Sequence, residues 1–500
     1  MRKDIFMFKR SSGVLMGVSS LPSNWGIGTL GKEAYRFVDC LCEAKQTYWQ
    51  ILPLGPTSFG DSPYQSFSSY AGNPYFIDPE ILCEMGYLTQ NDLSDLDFGT
   101  DATSIDYGKL YHNRRVLFES LQASFFKSKP ADFDGFCYDN AHWLDDYALF
   151  MSIKDEFNGA SLDIWPIELR KREIKYIEEA KERNKERILY YKMLQFLFFK
   201  QWFNLKSYAN RKGIEIFGDV PIYVARDSVD VWVNPDVFML NEDLTPKFVA
   251  GCPPDAFSED GQLWGNPVYD WENIKKNDYE WWLKRLKRSF EIYDVVRIDH
   301  FRAFEAFYCI PFGSDNAKNG HWQKGPDMDF FNTVKLRFGE LKIVAEDLGL
   351  LTPEVYELLK NSGFPGMKVL QFAFSPDGKS DYMLRRHKPN SIVYTGTHDN
   401  DTLVGFAKNG NENEVRFAKL CLGCPDENKL PEAMMKAALA SVSNVCILTM
   451  QDLLGLDSAA RMNTPSTDSG NWRWRAKKEQ ICSENFEFLK KYTVLLDRAK

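Results

Sequence analysis

The chain has 500 residues, of which 44% are hydrophobic, and a formal net charge of -9. This length suits one large domain or two to three ordinary ones, and nothing in the composition indicates disorder. The excess of 70 acidic over 61 basic residues argues against nucleic acid or an anionic membrane as the main partner, and it leaves a neutral polar ligand open.

The beginning of the chain, MRKDIFMFKRSSGVLMG, lacks the continuous apolar core and small-residue cleavage site of a signal peptide. The longest apolar stretch, at 188–203, is interrupted by Lys and Gln residues and is too short to span a bilayer. The cysteines are dispersed, and the CxxC pair of Cys421 and Cys424 has no second pair or histidine cluster to complete a zinc site. We therefore predict a cytoplasmic protein with reduced thiols and no membrane contact.

Eight short runs of β-branched and aromatic residues, each bounded by turn residues, predict β-strands. Segments with helical periodicity lie between most of them; one, at 352–363, has Thr352 at its N-cap, Pro353 in its first turn and Gly363 at its end. Strands that alternate with helices predict an α/β fold, a (β/α)8 barrel. The eight runs are GVLMGVSS (13–20), TYWQILPL (47–54), IEIFGDVPIYV (214–224), YDVVRIDHF (293–301), LKIVAEDLG (341–349), GMKVLQFAF (366–374), SIVYTGTHDN (391–400) and NVCILTMQD (444–452).

Two connections are too long for a plain βα repeat. After the second predicted strand the pattern is helical, and we predict a mostly helical insertion at 80–205. After the third strand, 225–292 is rich in Trp, Pro, Asn and Gly, and we predict a folded loop insertion that covers the mouth of the barrel. No low-complexity linker separates these parts, so 1–500 is predicted to form one barrel with no C-terminal β-sandwich.

Charged residues mark the carboxyl ends of four predicted strands. Barrels of this kind carry their chemistry on the loops at that end, so side chains from different strands are expected to meet at one mouth. In strand order these residues are Asp219, Asp299, Glu346 with Asp347, and His398 with Asp399.

Two carboxylates on neighbouring strands suit glycosidic chemistry, which needs an ionised group at the anomeric carbon and a protonated acid at the leaving oxygen. Arg297 and Asp299 point to the same side of their strand, so the cation is expected to lower the pKa of Asp299 and keep it ionised. Glu346 follows the apolar run KIVA, where burial raises a carboxyl pKa, and it suits the acid role. Asp399 is suited to accept hydrogen bonds from sugar hydroxyls.

The residues alone leave a structural role and a metal-binding role open for this cluster. Any one acid is equally well understood as a strand-end cap or as a salt-bridge partner of Arg297 or Arg302. The acids with His300 and His398 are also of the type that binds a divalent cation. However, no HxH, HExxH or EF-hand pattern is present, and Arg297 would compete with a cation, so we predict no metal.

A set of longer stretches, spread over the whole chain, is characteristic of one enzyme family. They are GVLMGVSSLPSNWGIGTLG, GPTSFGDSPYQSFSSYAGNPYFID, GDVPIYVARDSVDVW, GCPPDAFSEDGQLWGNPVYDW, VVRIDHFRAF, AEDLG, GFPGMK, YTGTHDNDT and RMNTPSTDSGNWRWR. Through them the chain resembles glycoside hydrolase family seventy-seven, the amylomaltases or disproportionating 4-α-glucanotransferases of the α-amylase clan. The combination of PPD with GQLWGNPVYDW is especially specific, because ordinary α-amylases lack it.

The resemblance implies a role for each matching residue. Asp299 matches a nucleophile that forms a covalent β-glucosyl-enzyme, Glu346 the general acid/base, and Asp399 the acid that holds the donor sugar's hydroxyls. Trp25 and Trp472 are interpreted as packing residues, because an aromatic side chain is more often core. The residues that match sugar contacts are Tyr64 as an aromatic platform, Arg297, His300 and His398 in the donor subsite, Asp219 and Asn463 as further contacts, and Asp255, Gln262 and Trp264 on a loop over the acceptor side.

The implied reaction is a retaining double displacement that transfers α-1,4-glucan segments from a maltooligosaccharide donor to the 4-hydroxyl of a glucose or glucan acceptor, without a cofactor. Retention requires the two carboxyl groups about 5–5.5 Å apart. One alternative is an α-1,4-glucan hydrolase that uses the same acids. The second alternative is a catalytically silent glucan-binding protein, which the presence of all three acids disfavours. The oligomeric state stays open.

Overall fold

The computed structural model describes residues 7–254, 258–349, 351–467 and 469–499. Within them it contains the strands β1 (Ser11–Leu15), β2 (Tyr48–Gln50), β3 (Glu215–Val220), β4 (Phe248–Cys252), β5 (Gln262–Pro267), β6 (Val295–Ile298), β7 (Ala306–Pro311), β8 (His321–Lys324), β9 (Ile343–Ala345), β10 (Gly366–Val369), β11 (Ser391–Tyr394) and β12 (Val445–Thr449). Parallel strands close into a barrel in the order β1, β2, β3, β6, β9, β10, β11, β12. Each of the eight predicted runs overlaps one barrel strand, although β1 begins before its run (13–20), and the barrel confirms the predicted fold.

The barrel strands alternate with helices along the chain. The helices are α1 (Lys32–Glu43), α2 (Pro79–Glu84), α3 (Gln90–Ser94), α4 (Tyr107–Lys127), α5 (Phe133–Asp139), α6 (Ala141–Glu156), α7 (Ile167–Arg170), α8 (Ile174–Arg183), α9 (Lys185–Arg211), α10 (Val229–Val233), α11 (Trp271–Lys276), α12 (Glu280–Ile292), α13 (Asp327–Phe338), α14 (Pro353–Ser362), α15 (Leu403–Asn409), α16 (Glu412–Cys421), α17 (Leu430–Ala440), α18 (Met450–Leu453) and α19 (Glu487–Leu495). None of the described helices is both long and apolar enough to cross a membrane.

The barrel strands are buried on both faces, which explains why they read as apolar runs without alternation. Every residue of β6, β11 and β12 is buried. The buried charged residues of this wall, Asp219 in β3 and Arg297 in β6, are neighbours in the β3–β6 register. The barrel interior is therefore an apolar core with an ion pair set into it at the level of the site.

A second, antiparallel sheet has the order β5, β4, β7, β8. The segment 225–292, which we expected to be a loop excursion, contributes β4 and β5 to it together with helices α10, α11 and α12. Strands β7 and β8 follow the fourth barrel strand and were not predicted. Gly251 allows β4 and β5 to pair closely at a β-bulge, because a Cβ there would lie 2.1 Å from the carbonyl oxygen of Gln262.

The long connection between β2 and β3 holds the helices α2 to α9. Helix α9 packs along α6 and also against α1, α4 and α5. Two of its buried glutamines reach the chain that follows β2: Gln195 exchanges two hydrogen bonds with the main chain of Gly72, and Gln201 does the same with Asp78. These contacts fix the loops above β2 to the helical layer.

The barrel is closed by the first strand and the last. Strand β1 pairs in parallel with β12, with Ser11 opposite Val445. Below this seam the fully buried guanidinium of Arg498 donates to the carbonyl oxygens of Ser11 (2.8 Å) and Asn444 (3.2 Å). The two ends of the described chain thus share one network of hydrogen bonds.

Candidate active site

Arg297 lies at the centre of the charged cluster. Its Nη1 donates to both carboxylate oxygens of Asp219 at 2.7 Å, and its Nη2 lies 2.7 Å from Oδ1 of Asp299. Arg297 and Asp219 are buried, and the Asp299 side chain is largely buried, with 31% of its surface exposed. The period of two along β6 puts Arg297 and Asp299 on the same side of the strand.

The pKa of Asp299 is raised by burial, which outweighs the lowering by Arg297; Asp219 adds to the rise. The expectation that Arg297 gives Asp299 a lowered pKa is therefore wrong in its net direction. The pKa of Arg297 itself lies well above its ordinary value, because Asp219 and Asp299 together outweigh its burial. The guanidinium stays charged and limits the rise at Asp299.

Glu346 follows β9 and is buried, with 9% of its surface exposed. Its carboxyl group accepts hydrogen bonds from the main-chain N–H of His300 (2.7 Å) and of Leu348 (2.8 Å). Burial, followed by the charge of Asp299, raises the pKa of Glu346 to about 7. A carboxyl group with this pKa can both give and take a proton near neutral pH.

His300 adopts a left-handed backbone conformation, with φ of 52°. This conformation is uncommon for a residue with a side chain, and here it directs the N–H toward Glu346. Burial, with a contribution from Arg302, lowers the pKa of the His300 ring to about 3, so the ring is neutral. Its buried Nε2 has no hydrogen-bond partner within the described residues.

Asp399 lies after β11 on the opposite side of the mouth. Its Oδ1 accepts a 2.6 Å hydrogen bond from Nδ2 of Asn463, and its Oδ2 lies 3.4 Å from Nε2 of His398. Burial opposes ionisation, but His398 and Asn463 outweigh it and hold the pKa of Asp399 to about 2. Burial alone would lower the pKa of the His398 ring, but the nearby Asp399 carboxylate has the larger effect and raises it. When the His398 ring is protonated, the two residues form an ion pair.

Tyr64 connects the two sides of the mouth. Its hydroxyl donates a 2.6 Å hydrogen bond to Oδ2 of Asp219, and its ring stacks on His398 with centroids 5.0 Å apart. Trp472 packs against both rings, 5.8 Å from Tyr64 and 5.7 Å from His398. Trp472 is buried, as predicted for a packing residue, but the residues that it packs against belong to this site. Trp25 packs edge-on against Phe98.

Trp264 and Gln262 lie on β5 of the second sheet. The indole of Trp264 packs edge-on against the His300 ring at 4.8 Å, and its Nε1 donates to Oε1 of Gln262. Strand β5 therefore brings the second sheet to the residue that follows Asp299. The remaining predicted site residue, Asp255, lies outside the described residues.

Two residues that the sequence analysis did not select also contact the cluster. Arg461 donates to the carbonyl oxygens of Asp399 (2.6 Å) and Asn463 (2.8 Å), which ties these segments together. Met367, in β10, places its sulfur 3.4 Å from Nε of Arg297. No group of three or more His, Cys, Asp or Glu in the described part of the chain is arranged to hold a metal ion.

The comparisons with known proteins agree on one family. The family model for 4-alpha-glucanotransferase matches residues 16–480. The chain is 49% identical over 495 residues to the 4-alpha-glucanotransferase of Streptococcus pneumoniae serotype 4, covering 98% of both chains. It is 48% identical over 471 residues to that of Clostridium butyricum, covering 94% of this chain and 97% of the relative.

A solved structure extends the similarity to three dimensions. It is an amylomaltase from Streptococcus agalactiae in complex with acarbose, with a TM-score of 0.96 and 41% identity. The match covers 98% of this chain and 100% of the other. The chain therefore belongs to the 4-alpha-glucanotransferase family, glycoside hydrolase family 77.

Proposed function

We propose that this chain carries out the 4-alpha-glucanotransferase reaction of its family with Asp299 as nucleophile, Glu346 as general acid/base and Asp399 as stabiliser of the transition state. One observation carries the proposal. The buried carboxyl group of Glu346 has a pKa raised to about 7, in part by the charge of Asp299, and Asp299 itself is ion-paired to Arg297. Retaining glycosidases require such a pair of acids in different protonation states.

In the first displacement, Asp299 attacks C1 of the donor glucose and forms an ester bond with it. The bond between C1 and the glycosidic oxygen breaks, and Glu346 gives its proton to that oxygen, which leaves as the 4-hydroxyl of the departing glucan. The two main-chain N–H groups that hold the Glu346 carboxyl keep it oriented for this transfer.

In the second displacement, the 4-hydroxyl of an acceptor glucan gives its proton to Glu346, and its oxygen attacks C1. A new α-1,4 bond forms, and the ester bond to Asp299 breaks. The number of glycosidic bonds is unchanged, so the reaction needs no cofactor and no net input of water. An ordered acceptor close to C1 favours transfer over hydrolysis.

We propose that the donor glucose lies between Asp399 and Tyr64. The ionised Asp399, held by His398 and Asn463, suits hydroxyl groups whose hydrogen bonds strengthen as positive charge develops at C1. The Tyr64 ring offers an apolar face to the sugar's C–H groups. The unpartnered Nε2 of His300 supports a further contact, because a buried polar atom needs a partner that the substrate can supply.

On the acceptor side we propose a role for Gln262 and Trp264. They lie on β5, an edge of the second sheet, and Trp264 contacts His300 directly. Asp255, also assigned to this side by the sequence, lies outside the described residues. We propose that the insertion 225–292 covers the bound acceptor. The helical insertion 80–205 then supports the mouth of the barrel, and residues 1–500 form a single catalytic barrel.

We further propose soluble maltooligosaccharides and α-1,4-glucans as substrates and the cytoplasm as the setting. Apart from Cys252, the cysteines within the described residues are free thiols, which suits a reducing compartment. An acidic chain with net charge -9 suits an uncharged glucan better than a polyanion.

The test is incubation of the purified protein with maltotriose, with glucose, longer oligosaccharides and total reducing ends measured together. We expect glucose and longer products at a constant total of reducing ends, and their loss in Asp299→Asn. The exposed Asp139→Asn serves as the matched control. A rise in reducing ends would identify a hydrolase with the same acids, and no products would support a glucan-binding protein.

A further inference from the structure

The Arg297 side chain ends in a planar guanidinium whose N–H groups point in fixed directions. Nη1 is occupied by Asp219 and Nη2 by Asp299. The third direction, along Nε–H, is occupied by the thioether of Met367, whose Sδ lies 3.4 Å away. From sequence alone Met367 is an apolar residue of a buried strand, and nothing in its type indicates a polar contact.

Met367 reaches Arg297 through the barrel interior. In the wall, β9 separates β10 from β6, so the two residues are not neighbours in the sheet. Arg297 is 4% exposed and Met367 is fully buried, which excludes water as a ready substitute for the sulfur. A buried N–H without an acceptor is destabilising, so the partner at this position affects how firmly the guanidinium is held.

The main chain of Met367 is itself held in place. Its N–H donates a 2.6 Å hydrogen bond to Oδ1 of Asp347, the buried acid that follows Glu346. The carboxylate approaches closely because Gly366 has no side chain; a Cβ there would lie 2.4 Å from Oδ2 of Asp347. The sulfur is thus presented from a fixed backbone.

We infer that Met367 is a positioning residue for the nucleophile. Its sulfur orients the Arg297 guanidinium so that the N–H of Nη2 points at the carboxylate of Asp299. This inference rests on the roles proposed above for Arg297 and Asp299. A thioether suits the position because it is a weak, uncharged acceptor. It fixes the plane of the guanidinium and, unlike a third carboxylate, does not compete with Asp219 and Asp299 for the positive charge of Arg297.

The first variant is Met367→Leu, which keeps the size and apolar character of the side chain and removes the acceptor. We expect kcat on maltotriose to fall about tenfold, with KM within about twofold, because the contact acts on the nucleophile and not on sugar binding. If the guanidinium is held less firmly, its lowering effect on the pKa of Asp299 becomes weaker, and that pKa rises. The acid limb of the kcat/KM profile should therefore move to higher pH.

Three further variants separate positioning from packing. Met434→Leu makes the same change at a fully buried position of α17 and should leave both readouts unchanged. Met367→Gln supplies an amide oxygen as acceptor and should restore kcat to within about threefold of the parent. Arg297→Lys replaces the planar guanidinium that binds both Asp219 and Asp299, and it should move the acid limb at least as far as Met367→Leu does. Thermal unfolding of every variant checks that it is folded.

The inference is overturned if Met367→Leu behaves like Met434→Leu, or if Met367→Gln loses as much activity as Met367→Leu, since packing alone would then account for the effect. If Arg297→Lys moves the acid limb and Met367→Leu does not, this inference fails while the proposed function stands. If Arg297→Lys leaves the acid limb in place, the proposed role of Arg297 fails as well.

Discussion

The main-chain N–H of His300 donates a 2.7 Å hydrogen bond to Oε2 of Glu346. His300 follows Asp299 directly, so the residue next to the proposed nucleophile also holds the proposed acid. The left-handed backbone of His300 makes this geometry possible. The Glu346 carboxyl is therefore tied to the main chain next to Asp299, and a shift of that main chain would change the positions of both carboxyl groups.

The pH dependence of kcat/KM should reflect this pair. Glu346, with a pKa of about 7, must be protonated for the first displacement, so activity should fall as pH rises above about 7. Asp299 must be ionised, and because burial raises its pKa, the acid limb should lie above the pKa of an ordinary aspartate. Initial rates with maltotriose at a low, fixed concentration from acid to mildly alkaline pH give both limbs.

Glu346→Gln should remove the alkaline limb and lower kcat/KM for maltotriose by about 10²–10⁴-fold, because the leaving oxygen is no longer protonated. The same variant should still be glucosylated by α-glucosyl fluoride, whose leaving group needs little acid assistance. Glu357→Gln, an exposed change on α14, is the matched control. An alkaline limb that persists in Glu346→Gln would assign the proton to another group.

Asn463→Ala should lower kcat by roughly 10–100-fold. It removes the 2.6 Å hydrogen bond to the ionised Asp399, and hydrogen bonds to charged groups contribute about 1.5–3 kcal/mol. The pKa of Asp399 should rise toward its ordinary value, because this donor is one of the groups that lower it. Steady-state kinetics on maltotriose provide the measurement, with the exposed Asn413→Ala as control. An unchanged kcat would contradict a role for this contact.

Tyr64 should show separable effects of its hydroxyl and its ring. Tyr64→Phe removes the hydrogen bond to Asp219 but keeps the stack on His398, and should lower kcat/KM about tenfold. Tyr64→Ala also removes the ring and should lower kcat/KM well beyond that, mainly through KM, because the sugar loses an apolar surface. Equal losses in the two variants would argue against a platform role for the ring.

Arg297→Leu should destabilise the fold as well as abolish transfer. Asp219 is 1% exposed and would be left as a buried carboxylate without its cation. Removing one partner of a buried ion pair costs about 3–5 kcal/mol, so the free energy of unfolding in urea should fall by that amount at neutral pH. Adding Asp219→Asn should recover part of the loss. If Arg297→Leu unfolds like the parent, the ion pair is not needed for stability.

The barrel was predictable from the sequence because parallel strands buried on both faces read as apolar runs, and each of the eight runs overlaps one barrel strand. Strands β7 and β8 escaped prediction. In β8 none of the four residues is buried, so the run HWQK has no apolar pattern to detect. The strands β4 and β5 were hidden by the Gly, Pro and Asn residues around their bulge.

The acids of the cluster were predictable because charge at the tip of an apolar run is conspicuous in a sequence. Their protonation states were harder to predict. Whether the pKa of Asp299 is raised or lowered depends on how deeply the group is buried, which the sequence does not show. Met367 and Arg461 were not predictable, because Arg461 binds main-chain carbonyl oxygens, which no residue pattern marks, and Met367 is an apolar residue. A methionine in a buried strand looks the same whether or not its sulfur faces a guanidinium.

The seam between β1 and β12 has a consequence for synthesis of the protein. Strand β1 leaves the ribosome early and pairs with β2, but its other edge has no partner until β12 has been made. An unpaired strand edge readily pairs with other chains. The growing chain is therefore exposed to pairing with other chains at that edge until β12 has been translated.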